Sequence, residues 1–263
     1  MKYQDIFERK ERKYILTEAA YQELRKELDR FMAVDQYGET TILSLYYDTA
    51  SSLLIRRSME KPVYKEKLRL RCYGIPGSDS PSFIEIKKKF KGIVYKRRIV
   101  MSYIDAVQYM EQNKSLEKQS QISREISYFK QFYGDLQPKT VIACERTAIV
   151  GRMNPDLRIT FDRNIRWRNT DLDLRNGADG KRLLEEGRIL MEVKIKDALS
   201  WEMAKLFSGM SIYPCSFSKY GEAYRQWFIE DRKKSKENSE AVLLQMMYSE
   251  ERFSGSHHSL ISA

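Results

Sequence analysis

Histidine is almost absent: the only two, His257 and His258, lie in a polar stretch near the end of the 263 residues. A Ser-His-Asp triad, a Cys-His pair and a histidine-built zinc site are therefore excluded from residues 1–256, and any chemistry there falls to carboxylates, lysines, arginines and tyrosines. Cysteine is scarce too. Cys72, Cys144 and Cys215 are odd in number and far apart, so they form neither a disulfide framework nor a CxxC metal knuckle and read as buried reduced thiols. No run approaches the roughly 18 apolar residues of a membrane helix, and MKYQDIFERKERKY lacks the apolar centre of a signal peptide, so the expected compartment is the cytoplasm. There is no GxxxxGKS or GxxxxGKT loop, hence no P-loop to cradle phosphate.

Acid is short relative to base. There are 47 Lys and Arg against 37 Asp and Glu, a formal net charge of +10, while 42% hydrophobic residues supply material for a packed core. Residues 231–263 balance five bases with five acids, so the whole excess belongs to residues 1–230, and residues 65–98 alone carry eleven bases against three acids. Charge this concentrated points to a polyanionic partner.

Eight segments read as strands, at 8–16, 41–48, 64–73, 82–89, 92–101, 139–150, 157–167 and 188–196, most alternating charged with apolar residues between Gly, Pro, Asn or Asp signals. KFKG and GRMNPD are hairpin signals between the fourth and fifth and between the sixth and seventh. Helical periodicity appears at 17–32, where Thr17 is the expected N-cap and Tyr21, Leu24, Leu28 and Phe31 form an apolar stripe, and again at 102–112, 121–134 and 221–237. No linker splits the chain. The expectation is one α+β domain over 1–230, an eight-stranded antiparallel β-barrel with helices outside, and a polar tail over 231–263, partly helical or disordered.

The stretch KEKLRLRCYG places Lys65, Lys67, Arg69 and Arg71 at alternate positions, hence on one face of a strand. The same parity unites Arg9, Glu11 and Lys13; Glu85, Lys87 and Lys89; Arg158, Thr160 and Asp162; and Arg188, Glu192, Lys194 and Lys196. One such strand is an ordinary wet sheet face. Cations outnumbering acids on face after face is different, because like charges opposite one another on neighbouring strands repel. A cationic lumen around an anion fits better, and arginines with lysines and a few carboxylates for a divalent cation suit a run of phosphates. Nucleic acid is the weaker reading, since base stacking calls for aromatics interleaved with the basic residues, and here they mostly take the other parity or lie on helices. Tyr220 and Trp201 read as core residues.

ERKERKYIL, SLYYDT, KEKLRLRCYG, FIEIKKKFKGIVYKRR, ERTA, LRITFDRNIRW, LMEVKIK and SFSKYGEAY, in this order across residues 7 to about 226, resemble the polyphosphate polymerase domain of the vacuolar transporter chaperone (VTC) family, within the triphosphate tunnel metalloenzymes. The resemblance implies an eight-stranded antiparallel tunnel lined by basic residues that hold a triphosphate or polyphosphate chain with one Mn or Mg ion. It implies phosphate-binding roles for Lys13, Arg69, Arg71, Lys87, Arg146, Arg158, Lys194, Ser218 and Lys219, with Lys13, Lys219, Arg69 and Arg71 at the reacting phosphate, and metal binding by Glu192 with Glu11 as a second candidate. The wider superfamily opens with ExExK; Arg9, Glu11 and Lys13 stand there in this chain, which favours the polymerase branch. The arginine that relatives carry before the RLR strand falls at Ser58, beside Arg56 and Arg57. The implied activity is transfer of the ATP γ-phosphoryl group to a growing polyphosphate chain. A non-catalytic binding module and a tunnel triphosphatase are the alternatives. A separate membrane partner would be needed to carry product across a bilayer.

Overall fold

The computed structural model describes residues 10–91, 93–112, 120–196 and 198–233. Arg9, His257, His258 and the tail beyond 233 lie outside the described residues. The chain divides into two compact units, Met1–Gly221 and Glu222–Ala263. In the first, the order is β1 (Lys10–Thr17), α1 (Glu18–Leu28), β2 (Met32–Thr49), α2 (Leu53–Met59), β3 (Tyr64–Tyr73), β4 (Pro81–Phe90), β5 (Ile93–Ser102), α3 (Tyr103–Glu111), α4 (Gln121–Tyr133), β6 (Leu136–Gly151), β7 (Arg158–Arg168), the two-residue β8 (Lys181–Arg182), β9 (Arg188–Ile195) and α5 (Trp201–Gly209). A last helix, α6, runs over 219–233. Within the second unit, Tyr224 packs its ring on Trp227 and Phe228, and Arg225 pairs with Glu222.

All eight predicted strands form, and every ladder is antiparallel. The sheet order is β1-β9-β7-β6-β2-β3-β4-β5, with β8 added beside β7. The closed ring expected from the sequence is not what the ladder shows, because among the described residues no hydrogen bonds join β5 to β1. The edge of β1 is taken instead by the segment after α5, where the Cys215 amide donates to the Lys13 carbonyl at 2.7 Å. Side chains still meet across the seam: Lys87 of β4 lies 3.5 Å from Glu11 of β1. The sheet is thus a curled trough.

Alternation puts the apolar residues of each strand on the outside of the curl, where helices cover them. Leu43, Leu45, Leu68, Leu70, Ile84 and Ile86 pack under Tyr103, Ala106, Tyr109 and Met110 of α3 and Ile126 and Phe129 of α4. Tyr14, Leu16, Ile159, Phe161, Met191 and Val193 pack under Tyr21, Leu24 and Leu28 of α1 and Met203 and Phe207 of α5. Thr17 caps α1 as expected, its hydroxyl accepting from the Ala20 amide at 3.2 Å. That helix stops at Leu28, so Phe31 falls in the turn before β2 and is 39% exposed. Trp201, expected in the core, opens α5 and is 71% exposed; Tyr220 is buried.

Two helices escape the sequence reading. In α2 the N-cap residue Ser52 makes no side-chain cap, and Asp48 at the end of β2 substitutes. Its carboxylate, fully buried, accepts from the amides of Thr49, Leu54 and Ile55 and from the Tyr220 hydroxyl. One carboxylate thereby ties the inner face of the sheet to the start of α6, which carries functional candidates.

Candidate functional site

Of the residues singled out by parity, the inner face of the trough holds Glu11, Lys13, Lys67, Arg69, Arg71, Glu85, Lys87, Asp162, Glu192 and Lys194. On one wall, strand register sets Lys67, Lys87 and Lys96 directly abreast on β3, β4 and β5. Like charges so placed repel unless something anionic lies over them. The adjacent row is Arg69, Glu85 and Arg98. Glu85, 1% exposed, gathers three cations: Arg69 at 2.7 Å, Lys96 at 2.5 Å and Arg71 at 3.9 Å. Burial works against its ionisation, but Arg69, Arg71 and Lys96 hold the carboxyl well below its ordinary range. Arg69 is further fixed by the Tyr46 hydroxyl at 3.1 Å, whereas Arg71 has Ser44 at 3.2 Å as its nearer partner.

The opposite wall comes from β1, β9, β7 and β6. Arg146 grips Asp162 through two hydrogen bonds of 2.6 Å each, and Lys219 lies 2.5 Å from Asp162 and 2.9 Å from Glu192. Lys13 lies 3.3 Å from Glu11 and 3.7 Å from Glu192, and Lys194 lies 3.6 Å from Glu192. Burial opposes ionisation of all three carboxylates, yet the cations win: Asp162 and Glu11 are each held down at about 2, and Glu192 well below its usual range. For Lys194 burial wins instead and pushes its ammonium down to about 8, since Arg146 and Lys87 offset part of what Glu192 and Glu11 contribute.

Ser218 and Lys219 enter from the segment that occupies the β1 edge. Ser218 caps α6, its hydroxyl accepting from the Gly221 amide at 3.1 Å, and a Cβ at Gly221 would press on that oxygen at 3.2 Å. The same hydroxyl oxygen accepts from Lys67 at 2.9 Å.

The structure therefore brings together Glu11, Lys13, Arg69, Arg71, Lys87, Arg146, Glu192, Lys194, Ser218 and Lys219. Arg158 stands apart: it shares their parity, but its guanidinium turns to Asp35 at 2.6 Å and is 37% exposed, at the rim. Ser58, the position at which the family resemblance led to an expected arginine, is buried, and its carbonyl accepts from Lys65 at 3.1 Å, while Arg56 and Arg57 are exposed. Lys67, Glu85 and Asp162, marked in the sequence by parity alone, join the site, and Lys96 joins it without having been singled out. So do two aromatics, Tyr46 and Tyr220, which stack at 4.5 Å.

Among the described residues no group of three or more His, Cys, Asp or Glu converges into a metal cage. Glu11 and Glu192 nevertheless share one ammonium, that of Lys13. Two carboxylates converging on one cation fit a hard divalent ion that draws its remaining oxygens from phosphate and water, the usual way magnesium is held.

The VTC domain model matches residues 8–228, most of the chain. The chain belongs to the VTC domain family. No curated protein matches it in sequence. Among solved structures, a Bacillus halodurans protein described as a "putative adenylate cyclase" aligns over 81% of this chain and 96% of its own, at 12% identity and a TM-score of 0.50. A Vibrio parahaemolyticus protein of the same description aligns over 84% and 99%, at 13% identity and a TM-score of 0.48. What this VTC domain shares with the first is its fold.

Proposed function

We propose that this VTC domain is a metal-dependent polyphosphate polymerase, transferring the γ-phosphoryl group of ATP to the end of a polyphosphate chain seated in the trough. The observation that carries the reading is the lysine row, Lys67, Lys87 and Lys96, on a concave face where these three, with Lys13, Arg69, Arg71, Arg146, Lys194 and Lys219, meet Glu11, Glu85, Asp162 and Glu192. A linear anion with many oxygens per unit length answers such a surface. A nucleic acid does not, because Tyr46 and Tyr220 are buried against each other and present no face to a base. With the chain seated, Lys87, Glu11 and the segment before α6 would enclose it, so the trough would work as a tunnel.

Phosphoryl transfer asks little covalent work of a protein; positioning and charge neutralisation supply the catalysis. Arg71, Lys87 and Lys67 would grip the polyphosphate along the β3–β4 wall. Arg146, Lys13 and Lys219 would neutralise the oxygens of the transferring phosphoryl group. The bond from the γ-phosphorus to ADP breaks as a terminal phosphate oxygen of the chain bonds to that phosphorus; the acceptor is already ionised, so no general base is required. Glu192 and Glu11 would hold the divalent ion, Mn or Mg, which would supply further neutralisation of phosphate charge. No helix among the described residues is long and apolar enough to cross a membrane.

The test is incubation of the purified protein with ATP and manganese, with products resolved by chain length on a gel beside Arg71→Ala and Glu192→Ala. Long chains from the wild type and none from either variant are expected. ATP left intact by a wild type that still binds tripolyphosphate would overturn the polymerase and leave a binding module; orthophosphate without chains would mark a triphosphatase.

A further inference from the structure

Among the described residues no carboxylate pairs with Lys67, its strand neighbour Glu66 facing the opposite side of the sheet. Its neighbours on the trough face are Lys65 and Arg69 along β3, Lys87 directly opposite on β4, and Lys13 across the seam on β1. Glu11, the carboxylate on that side, is taken by Lys87 and Lys13. On β2, Tyr46 is engaged by Arg69, and Asp48 by the amides of α2 and the Tyr220 hydroxyl. From the start of α6, the Tyr220 ring approaches to 5.9 Å and Ser218 to 2.9 Å. Ser218 is therefore the one hydrogen-bond partner of Lys67 among the described residues.

A count of donors shows what is missing. The Ser218 oxygen already accepts from the Gly221 amide and from Lys67, which uses both of its lone pairs and leaves its own proton to give. An ammonium at Lys67 has three N–H groups and one acceptor. Charged, the pair holds three donors with no protein acceptor for them among the described residues; neutral, the Lys67 amine can itself accept the Ser218 proton across the same 2.9 Å.

We propose that Lys67 and Ser218 form a proton-coupled phosphate contact, in which Lys67 rests as an amine hydrogen-bonded to Ser218 and takes up a proton as a phosphate chain arrives. This rests on the reading of the trough as a phosphate-chain site. Phosphate oxygens supply the acceptors for all three donors and the negative charge the neighbourhood lacks. Burial, followed by Lys87, Lys13, Lys65 and Arg69, accordingly pushes the empty-state ammonium of Lys67 down to about 7. The protein would then bind phosphate chains more weakly as pH rises above neutrality, by about tenfold per unit from this group alone.

The experiment is calorimetric titration of the full chain with tripolyphosphate at pH 8 in two buffers of different ionisation enthalpy, which counts protons exchanged on binding. Wild type, Lys67→Met and Lys67→Arg are compared, so protons belonging to the ligand and to other lysines cancel in the differences. The expected result is about 0.9 proton more uptake by the wild type than by either variant, as a group titrating near 7 is about nine-tenths neutral at pH 8. Lys67→Arg should keep its affinity at pH 8, and Lys67→Met should lose about tenfold at pH 6, the scale of one charge-assisted hydrogen bond. Equal uptake by all three overturns the proposal while leaving the anion site intact. No binding of tripolyphosphate by the wild type overturns both. Should Lys67→Met fail to fold, the comparison with Lys67→Arg carries the same test.

Discussion

Glu85→Gln isolates what the trough does with charge. The wild-type carboxylate is 1% exposed and lies within 4 Å of three cations, whose side chains are 15% (Arg69), 11% (Arg71) and 37% (Lys96) exposed. Removing one member of a buried ion pair costs about 3–5 kcal/mol, because the partner is left as an uncompensated charge. Here the partners line a wet trough and Lys96 can turn outward, so the lower end, about 3 kcal/mol, is the better figure. At roughly 2–4 °C per kcal/mol for a chain of this size, the melting temperature should fall by about 6–12 °C.

A phosphate chain should reverse much of that loss. With Glu85 neutral, the trough has one carboxylate fewer against its cations, and tripolyphosphate can place an oxygen where the carboxylate had been. A tenfold gain in affinity would add about 1.4 kcal/mol at saturating ligand, hence about 3–6 °C more ligand-induced stabilisation than the wild type shows. The assay is thermal unfolding of both proteins across a tripolyphosphate series at fixed ionic strength. An unchanged melting temperature would show that Glu85 does not balance these cations. A ligand-induced shift smaller than the wild type's would show that the anion does not bind against this wall.

Arg69 and Arg71 should behave differently although the sequence presents them as a pair. Arg69→Ala strips Glu85 of its closest guanidinium and should cost about 2–3 kcal/mol of stability, whereas Arg71→Ala should leave the melting temperature within about 2 °C and weaken tripolyphosphate by about tenfold or more. Paired unfolding and titration measurements check this, and equal destabilisation by the two would count against it. Stability of the empty protein should also rise from pH 7 to pH 9. Burial depresses Lys67 to about 7 and Lys96 and Lys194 to about 8, against an ordinary 10.5. The unfolded chain therefore holds more protons than the folded one across that window, which makes unfolding less favourable as pH increases. A melting temperature that falls over those two units would refute the assignment.

Alternation in the sequence is enough to assign faces, and for Lys13, Arg71, Lys87, Glu192 and Lys194 the face was enough to place them in the trough, whereas Arg146 came from the family resemblance alone. Parity cannot give depth along a strand or the partner a side chain finds. Arg158 has the right parity and ends at the rim because Asp35, at the far end of β2, claims it. The lysine row is half legible: Phe90 and its partner Ile93 lie only three positions apart in the sequence, and that spacing fixes Lys96 opposite Lys87. Seven residues separate β3 from β4, too many for the turn to set the register that brings Lys67 alongside, so Lys67 read as one cation among four. Short helices such as α2 leave little periodic signal, and α2 owes its start to Asp48, which also binds Tyr220 far along the chain.

Closure of the ring was expected from a count of eight strands, and the structure gives a physical reason against it. A strand has two hydrogen-bonding edges, and β1 uses one for β9. Pairing with β5 would require the other, which already accepts Cys215 through the Lys13 carbonyl, while the Lys13 ammonium donates to the Phe217 carbonyl at 2.9 Å. That segment places Ser218 beside Lys67 and Lys219 between Asp162 and Glu192. A β1–β5 ladder would occupy the same edge and displace it. The open seam and the two late residues of the site are thus alternatives to full closure: the edge that would complete the ring is the one that delivers Ser218 and Lys219 to the trough.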